Sequence, residues 1–133
     1  MSKEFEFSKH IEEEWISKEG YKCFVVFNPM GHRCGYVKVD EKNITNEING
    51  YDDIPVNVHG GLTYGCNGIW GFDCAHAGDT TDKWTLEAVK EEVNKLSKQL
   101  SELTWEDMVK AKLEFMPDWF KNRVEIKKAR EEK

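Results

Sequence analysis

The chain has 133 residues, of which 39% are hydrophobic and 33% charged, and its formal net charge is −6. This length and composition are typical of one globular domain and exclude a disordered or fibrous chain, while the negative charge argues against binding to duplex nucleic acid. No stretch approaches the roughly 18 apolar residues of a membrane-spanning helix and the first residues do not resemble a signal peptide, so we expect a cytoplasmic protein with reduced cysteines and no membrane partner.

The N-terminal segment predicts a short helix. Its apolar residues Ile11, Trp15 and Ile16 are four and five positions apart, a spacing that places them on one stripe of a helix. Ser8 is a suitable N-cap residue. We therefore expect a helix from Ser8 to about Lys18.

A β-hairpin is predicted next, from Tyr21 to Val39. Residues 21–27 are rich in aromatic and β-branched side chains, and residues 33–39 alternate in the same way. Between them lie Asn28-Pro29-Met30-Gly31, which are residues that favour a turn.

The region that follows combines a polar stretch with a short alternating one. Residues 40–53 have no periodic apolar pattern, contain the acidic pair Asp52 and Asp53, and are predicted to form a surface loop. Residues 54–59 alternate and predict a strand, although Pro55 cannot donate a hydrogen bond to a sheet and restricts that strand to a start or an edge.

Two further short strands are predicted over residues 62–64 and 68–73. They are joined through Gly65-Cys66-Asn67-Gly68, in which Asn-Gly is the strongest short-range signal for a hairpin. The predicted sheet therefore has four or five strands and is mostly antiparallel.

After Asp79 the apolar period changes to that of a helix, predicted from about Thr85 to Ser101 and packed on the sheet. A second helix is predicted after an N-cap at Thr104, and Pro117 interrupts it. Residues 122–133 alternate basic and acidic side chains and predict a solvated helix end or a disordered tail. The stripe of the first helix consists of Leu86, Val89, Val93, Leu96, Leu100 and Leu103; that of the second contains Met108, Val109 and Leu113.

These elements together predict a single α+β domain that spans residues 1–133. Its core is expected over about residues 20–103, and residues 104–133 form a helical extension. We find no internal repeat and no low-complexity segment.

The first candidate functional segment follows the predicted strand over residues 54–59. If that segment is extended, Val56 and Val58 lie on one face and His59 on the other, away from the core. Gly60 and Gly61 can both adopt positive φ, which lets the backbone approach a ligand and directs successive N–H groups into one concavity. The alternative is a tight turn with a surface histidine, and the residues alone do not separate the two.

The second candidate segment lies between the last strand and the first long helix. It gathers Asp73, Cys74, His76 and Asp79 within seven residues. Asp73 and His76 would point to opposite faces of an extended chain, so a shared site requires a bend at about Cys74 or Ala75. The structural alternative is a buried Cys74, with Asp73 and Asp79 bonded to loop or helix backbone.

Metal binding and thiol chemistry are two further possibilities for the histidines and cysteines. Structural zinc sites use pairs such as Cys-x₂-Cys, whereas the close pairs here are His32-x-Cys34 and Cys74-x-His76, which is atypical spacing. An oxygen-ligated Mg²⁺ or Mn²⁺ ion is chemically reasonable, but no spacing demands it, so no metal or other cofactor is assigned. A Cys74 nucleophile paired with His59 or His76 remains open. The candidate ligands of such an ion are Asp52, Asp53, Asp73 and Asp79, together with His59 or His76.

Two phrases of the sequence resemble a known family. Residues 58–64 read Val-His-Gly-Gly-Leu-Thr-Tyr and residues 71–79 read Gly-Phe-Asp-Cys-Ala-His-Ala-Gly-Asp. They resemble small proteins without an assigned activity that occur in bacteriophages, prophages and bacteria. Those proteins also carry a Cys-Gly-Tyr-Val strand and an Asp-Asp pair, here residues 34–37 and 52–53. The resemblance covers about residues 20–102, and Ile69-Trp70 departs from the two tryptophans often seen there.

The resemblance implies a phage or prophage setting and action in the host cytoplasm, but no established activity. One class of small phage proteins acts against host defence by sequestering nucleotide immune signals in pockets at oligomer interfaces, so a homo-oligomer is compatible with it. By analogy, the Gly60 and Gly61 N–H groups would bind phosphate and Trp70 or Tyr64 would stack on a base. The ligand-binding candidates are His59, Gly60, Gly61, Thr63, Tyr64, Trp70, Asp73, His76 and Asp79.

Three classes of function stay open from the sequence. The first is a protein that binds and sequesters a small anionic ligand, with a nucleotide as one candidate. The second is a small hydrolase that uses Asp73 and His76, with or without a metal ion. The third is a protein-binding or structural phage component. The catalytic residues are unknown, and the binding class comes first because no nucleophile–base pair or metal cluster has convincing spacing.

Overall fold

The computed structural model describes residues 10–48, 50–76 and 78–113, apart from the side chains of Asp52, Lys112 and Leu113. The chain forms a single α+β domain in which one antiparallel sheet of five strands, in the order β1-β2-β3-β5-β4, packs against a long helix. The elements are β1 (Ile11–Ile16), β2 (Lys22–Phe27), β3 (Arg33–Lys38), β4 (Tyr64–Cys66), β5 (Ile69–Asp73), α1 (Leu86–Glu102) and α2 (Trp105–Leu113). In the part of the chain that is described, no helix has the length and apolar character needed to span a membrane.

The predicted N-terminal helix is wrong, because residues Ile11–Ile16 form the edge strand β1. This strand pairs antiparallel with β2, and its register shifts between Ile11 and Glu13. Pairing with a buried strand outweighs the local helix propensity of the glutamate-rich segment. Trp15 lies against α1, where its Nε1–H donates to Asn94 Oδ1 at 2.9 Å. The predicted cap, Ser8, lies outside the described residues.

The predicted hairpin from Tyr21 to Val39 is confirmed as β2 and β3, which pair antiparallel over their full length. Asn28 organises its turn: its Oδ1 accepts from the Met30 N–H, and its carbonyl oxygen accepts from the Gly31 N–H at 2.9 Å. Gly31 has a φ of +95°, a conformation that glycine adopts without strain.

The described residues of the segment 40–53 are more ordered than the predicted surface loop. Two short 3₁₀ helices occur there, Ile44–Glu47 and Tyr51–Asp53. Thr45 is completely buried, and its hydroxyl accepts a hydrogen bond from Trp70 Nε1 at 2.9 Å. A tryptophan buried with a polar nitrogen needs such a partner, and this segment supplies it.

The strand predicted over residues 54–59 is also wrong: these residues, all described, form no strand and run along α1 instead. Ile54 and Val58 are buried in the core. The backbone of Asn57 exchanges two hydrogen bonds with the Gln99 side chain, at 2.6 and 2.9 Å. Side chains of α1 therefore satisfy backbone groups that a neighbouring strand would otherwise have paired.

The predicted hairpin through Asn67-Gly68 is confirmed, although its first strand begins at Tyr64 rather than Leu62. Asn67 has φ +52° and Gly68 has φ +79°, the two positive values that a tight type I′ hairpin turn requires. The second strand, β5, lies between β3 and β4 in the sheet.

The predicted long helix is confirmed as α1. Thr85 caps it, because its side chain accepts from the Ala88 N–H at 3.2 Å. The predicted stripe faces the sheet, and Val89, Val93, Leu96 and Leu100 are fully buried. They pack on the sheet face that carries Cys23, Val25, Val37, Trp70 and Phe72.

The second predicted helix is confirmed as α2. Thr104 and Asp107 form reciprocal hydrogen bonds, each side chain accepting from the other's backbone N–H at 3.1 Å. This is the capping-box arrangement, and Met108 is buried behind it. The predictions for Pro117 and residues 122–133 lie outside the described residues.

Gly35 on β3 is the point of closest approach between α1 and the sheet. A Cβ atom there would overlap Val93 Cγ2 and lie 2.8 Å from Phe72 Cζ. We expect Gly35→Ala to lower the free energy of unfolding by about 1–3 kcal/mol through overpacking. Denaturant unfolding measures this, with Gly50→Ala as the control because a Cβ at Gly50 meets no atom within 4 Å. Equal midpoints for the two variants would contradict the role given to Gly35.

Candidate functional site

Four of the predicted site residues come together at one end of the sheet, and we call His59, Asp73, His76 and Asp79 the histidine corner. The turn after residues 54–58 contributes His59, and β5 ends at Asp73. His76 and Asp79 belong to the segment between β5 and α1. The two imidazole rings lie edge to face, with centroids 5.5 Å apart and planes at 75°.

The bend that the sequence required after Asp73 is present. The strand stops at Asp73, whose Oδ1 accepts from the Ala75 N–H at 3.0 Å. His76 and Asp79 then close a turn in which the Asp79 N–H donates to the His76 carbonyl oxygen, and the His76 N–H donates to Asp79 Oδ2, both at 2.9 Å. This turn brings the segment back so that His76 and Asp73 share one side, with His76 Nε2 3.5 Å from Asp73 Oδ1.

His59 and Asp79 form the closest pair of the histidine corner. His59 Nε2 and Asp79 Oδ2 are 2.8 Å apart, and the exposed fractions of the side chains are 25% and 7%. The bond from His59 is the main cause that lowers the pKa of Asp79 below its usual value, and the His76 N–H acts in the same direction. Asp79 is therefore a carboxylate at neutral pH, and its contact occupies Nε2 of His59.

Two residues that the sequence reasoning did not single out hold His59 in place. Its backbone N–H donates to Glu92 Oε1 on α1 at 2.9 Å. Its ring packs on the indole of Trp84, with centroids 4.1 Å apart and planes at 36°. Trp84 directly precedes the helix cap, and the only sequence signal for it was an aromatic residue next to a polar segment.

Arg33, at the start of β3, was also missed, and it binds the backbone of Trp84. Its Nη1 donates to the Trp84 carbonyl oxygen at 3.0 Å, while Nε and Nη2 bind both carboxylate oxygens of Glu12 at 2.8 and 3.1 Å. Glu12 and Trp84 are distant from Arg33 in the chain, so no local pattern could have revealed this clamp.

The Gly60-Gly61 pair acts as a tight turn. Both residues have positive φ, +69° and +77°, as the sequence suggested. However, the Gly61 N–H donates to the Val58 carbonyl oxygen at 2.9 Å, so it does not point into an anion cradle. A Cβ at Gly60 would overlap the His76 imidazole, and the absence of a side chain is therefore what lets His76 lie against this turn.

The Gly60-Gly61 turn covers one ring nitrogen of His76. The Nε2 atom is buried and has no hydrogen-bond partner among the described residues, since Asp73 Oδ1 lies outside good bonding geometry. The His76 side chain is nevertheless 38% exposed, so its exposure comes from the other ring atoms.

The remaining predicted ligand residues lie elsewhere. Trp70 is 3% exposed inside the core and bonds to Thr45, so its indole is not open to a stacking base. Tyr64 packs edge-on against Tyr36, on the sheet face opposite α1. Thr63 is exposed beside β4, where its N–H donates to the Gly71 carbonyl oxygen.

Burial disfavours thiol chemistry at Cys74, whose side chain is 3% exposed. Burial raises the pKa of the Cys74 thiol to about 12, and the nearby carboxylates add to this effect. A thiol that is protonated at neutral pH is a poor nucleophile, so the structure does not favour Cys74 paired with His59 or His76 as a catalytic pair.

The described residues also contain no group of three or more His, Cys, Asp or Glu side chains arranged to hold a metal ion. The histidine corner has the right side chains for such a site, but His59 and Asp79 are directed at each other. Asp53 is exposed in the 3₁₀ helix near α2, and nothing is described that joins it to the corner.

The lowered pKa of Asp79 makes the stability of the folded state depend on pH in the acidic range. A depressed carboxyl pKa stabilises the folded state above the unfolded value of about 3.9, and this contribution is lost as pH falls through the lower folded value. We expect Asp79→Asn to be less stable than the wild type at pH 6, with a difference that shrinks towards pH 2.5 in urea titrations. The exposed Asp82→Asn is the control, and a difference for Asp79→Asn that does not change with pH would contradict the assignment.

The two glycines of the turn provide a matched pair of variants. Alanine at either position has an unfavourable positive φ, but only at Gly60 does the new methyl group collide with His76, because nothing lies within 4 Å of a Cβ at Gly61. We expect Gly60→Ala to be the less stable by about 1–3 kcal/mol and to shift the His76 imidazole NMR signals. Equal stability and unchanged His76 signals would show that His76 does not rest on this turn.

In comparisons with known proteins, the chain matches no family model, no curated protein and no solved structure.

Proposed function

We propose that this protein binds a small anionic ligand, with a nucleotide as the leading candidate, at the histidine corner and holds it without converting it. The observation that carries the proposal is the placement of two partly exposed imidazoles, His59 and His76, 5.5 Å apart and braced by the Asp79 carboxylate. Imidazole N–H groups donate hydrogen bonds to phosphate and hydroxyl oxygens, and they bind anions more strongly when protonated.

Several side chains in or beside the histidine corner are suited to binding a nucleotide. Asp73 is partly exposed and can accept hydrogen bonds from ribose hydroxyl groups. Trp84 is the partly exposed aromatic residue next to His59, and it takes the stacking role for which Trp70 is too deeply buried. Because the Gly61 N–H is engaged in its own turn, the imidazoles rather than the glycine backbone supply the donors for phosphate.

The pairing of the charged side chains near the histidine corner determines which groups can bind an anion. Arg33 is paired with Glu12, so its guanidinium group is not free for an anion, and the His59 ring bonds the Asp79 carboxylate. Binding of an anion therefore depends on the imidazoles, and screening by salt should weaken it.

Binding without turnover is favoured because the corner lacks the parts of the common hydrolytic machineries. The Cys74 thiol is inert, the described residues hold no three-ligand metal group, and His76 Nε2 is covered. If the phage setting implied by the two sequence phrases is correct, the ligand would be a host immune signal and the protein an anti-defence factor in the host cytoplasm. An oligomer that closes the open side of the corner would fit this role.

A second candidate function is hydrolysis, and one observation favours it. The 2.8 Å contact between His59 and an ionised Asp79 is the geometry by which a carboxylate orients a histidine as a general base for water. The base would then be His59 with Asp79, rather than the pair of Asp73 and His76 indicated by the sequence.

One experiment separates these functions. The protein is incubated with a panel of cyclic and ADP-ribose-type nucleotides, and its melting temperature and the ligand mass are followed together. A ligand at 100 times its Kd stabilises the folded state by about 2.7 kcal/mol, which raises the melting temperature by roughly 10 °C in a domain of this size. We expect a shift of this order with ligand of unchanged mass, and at least a tenfold weaker affinity in His59→Ala.

His10→Ala is the matched control, because His10 is exposed at the start of β1 and contributes nothing to the corner. A change in ligand mass that requires His59 would replace binding by hydrolysis. No shift with any nucleotide, or equal losses in His59→Ala and His10→Ala, would refute a ligand site at the corner.

A further inference from the structure

The sheet has a second apolar face, on the side opposite α1, and we call it the second face. Its centre is aromatic: the rings of Phe24 and Tyr36 stack with centroids 5.1 Å apart, and Tyr36 meets Tyr64 edge to face at 5.5 Å. Strands β2, β3 and β5 supply its buried side chains, which are Phe24, Val26, Cys34, Tyr36 and Ile69.

These five side chains have almost no contact with solvent. Ile69 is 0% exposed, and the other four are between 4% and 7% exposed. Neighbouring strands cover the flanks of such a side chain, but its outward end is buried only when another layer lies over the sheet. Ile16 shows the contrast, because it follows Trp15 and so belongs to the second face, yet it is 65% exposed. A further layer must therefore lie over β2, β3 and β5.

The described helices and connections do not supply this layer. Val93 of α1, Met108 of α2 and Ile44 of the first 3₁₀ helix all pack in the cluster on the other face of the sheet. Ile54 and Val58, from the connection before β4, belong to that cluster as well. No helical residue of the described ranges belongs to the cluster on the second face. The covering layer therefore comes from one of the terminal segments, residues 1–9 or residues 114–133.

The two terminal segments differ in the apolar surface that they can offer. Residues 1–9 contain three large apolar side chains, one of them the terminal methionine. Residues 114–133 contain six, of which three are aromatic. Only the longer segment has enough apolar side chains to bury the five of the second face. Its apolar residues are Phe115, Met116, Trp119, Phe120, Val124 and Ile126.

The chain also leaves α2 on a suitable side of the domain. The Asn43 amide donates to the Leu100 carbonyl oxygen and to the Tyr21 hydroxyl, both at 3.0 Å. These bonds place the C-terminal end of α1 at the end of the sheet where β5 begins with Ile69. The helix α2 follows after two residues and is about 14 Å long, so residue 114 starts near the same end of the sheet.

From these observations we infer that residues 114–126 pack over the second face and form a third layer of the domain, beside the sheet and α1. Their aromatic side chains meet Phe24, Tyr36 and Ile69, and the basic and acidic residues that follow stay at the surface. The second face is thus an internal docking surface for the chain's own C-terminal segment, and it is closed to a second copy or another protein. This inference does not depend on the ligand proposed for the histidine corner.

Cys34 is a built-in reporter of this cover. Its thiol lies on the second face and is 5% exposed, whereas Cys23 and Cys74 are buried in the cluster beside α1. The full-length protein is labelled with iodoacetamide, and peptide mass spectrometry gives the labelling rate at each cysteine. We expect Trp119→Asp/Phe120→Asp to raise the rate at Cys34 by about tenfold or more, while Cys23 and Cys74 keep their wild-type rates.

The matched control is Phe5→Asp/Phe7→Asp, which makes the same change in net charge in the other terminal segment and should label like the wild type. An unchanged rate at Cys34 in Trp119→Asp/Phe120→Asp, or a larger rise in the control variant, would overturn the inference. So would labelling of wild-type Cys34 that slows as the protein concentration rises, because a second copy would then be the cover.

A variant that unfolds would speed labelling of all the buried cysteines alike, so the unmodified chain supplies an independent measurement. We expect nuclear Overhauser contacts between the aromatic protons of Trp119 or Phe120 and the methyl groups of Val26 or Ile69. The absence of every such contact would refute the docking of the C-terminal segment, whatever the labelling rates.

Discussion

The close packing of α1 on the sheet is the constraint on which the other features depend. Val93 reaches β3 at Gly35, where no side chain keeps the helix away from the sheet. This contact brings the polar side of α1 near the chain that follows the second 3₁₀ helix. Gln99 and Glu92 then bind the backbone of Asn57 and His59. The position of His59 thus follows from how closely the helix lies on the sheet.

The histidine corner is held by hydrogen bonds from different parts of the chain rather than by one motif. Asp79 bonds both to the His59 ring and to the His76 backbone, which couples the two histidines through a single carboxylate. Arg33 links Glu12 of β1 to the backbone of Trp84. Because His59 is restrained both by Asp79 and by Glu92 of α1, its ring is preorganised, and a ligand that contacts it would have little side-chain entropy left to remove.

The sequence by itself determined those elements whose signals are local: the Asn67-Gly68 turn, the hairpin around Asn28, the stripe of α1 and the cap at Thr104. It also located the histidine corner, because a polar cluster among small residues required a bend. Tertiary structure alone decided that Ile11–Ile16 is a strand, that residues 54–59 follow a helix, that Trp70 is buried, and that Arg33, Trp84 and Glu92 support the corner. The physical reason is that those outcomes depend on partners tens of residues away, whose pairing outweighs local propensity and leaves no pattern in the neighbouring sequence.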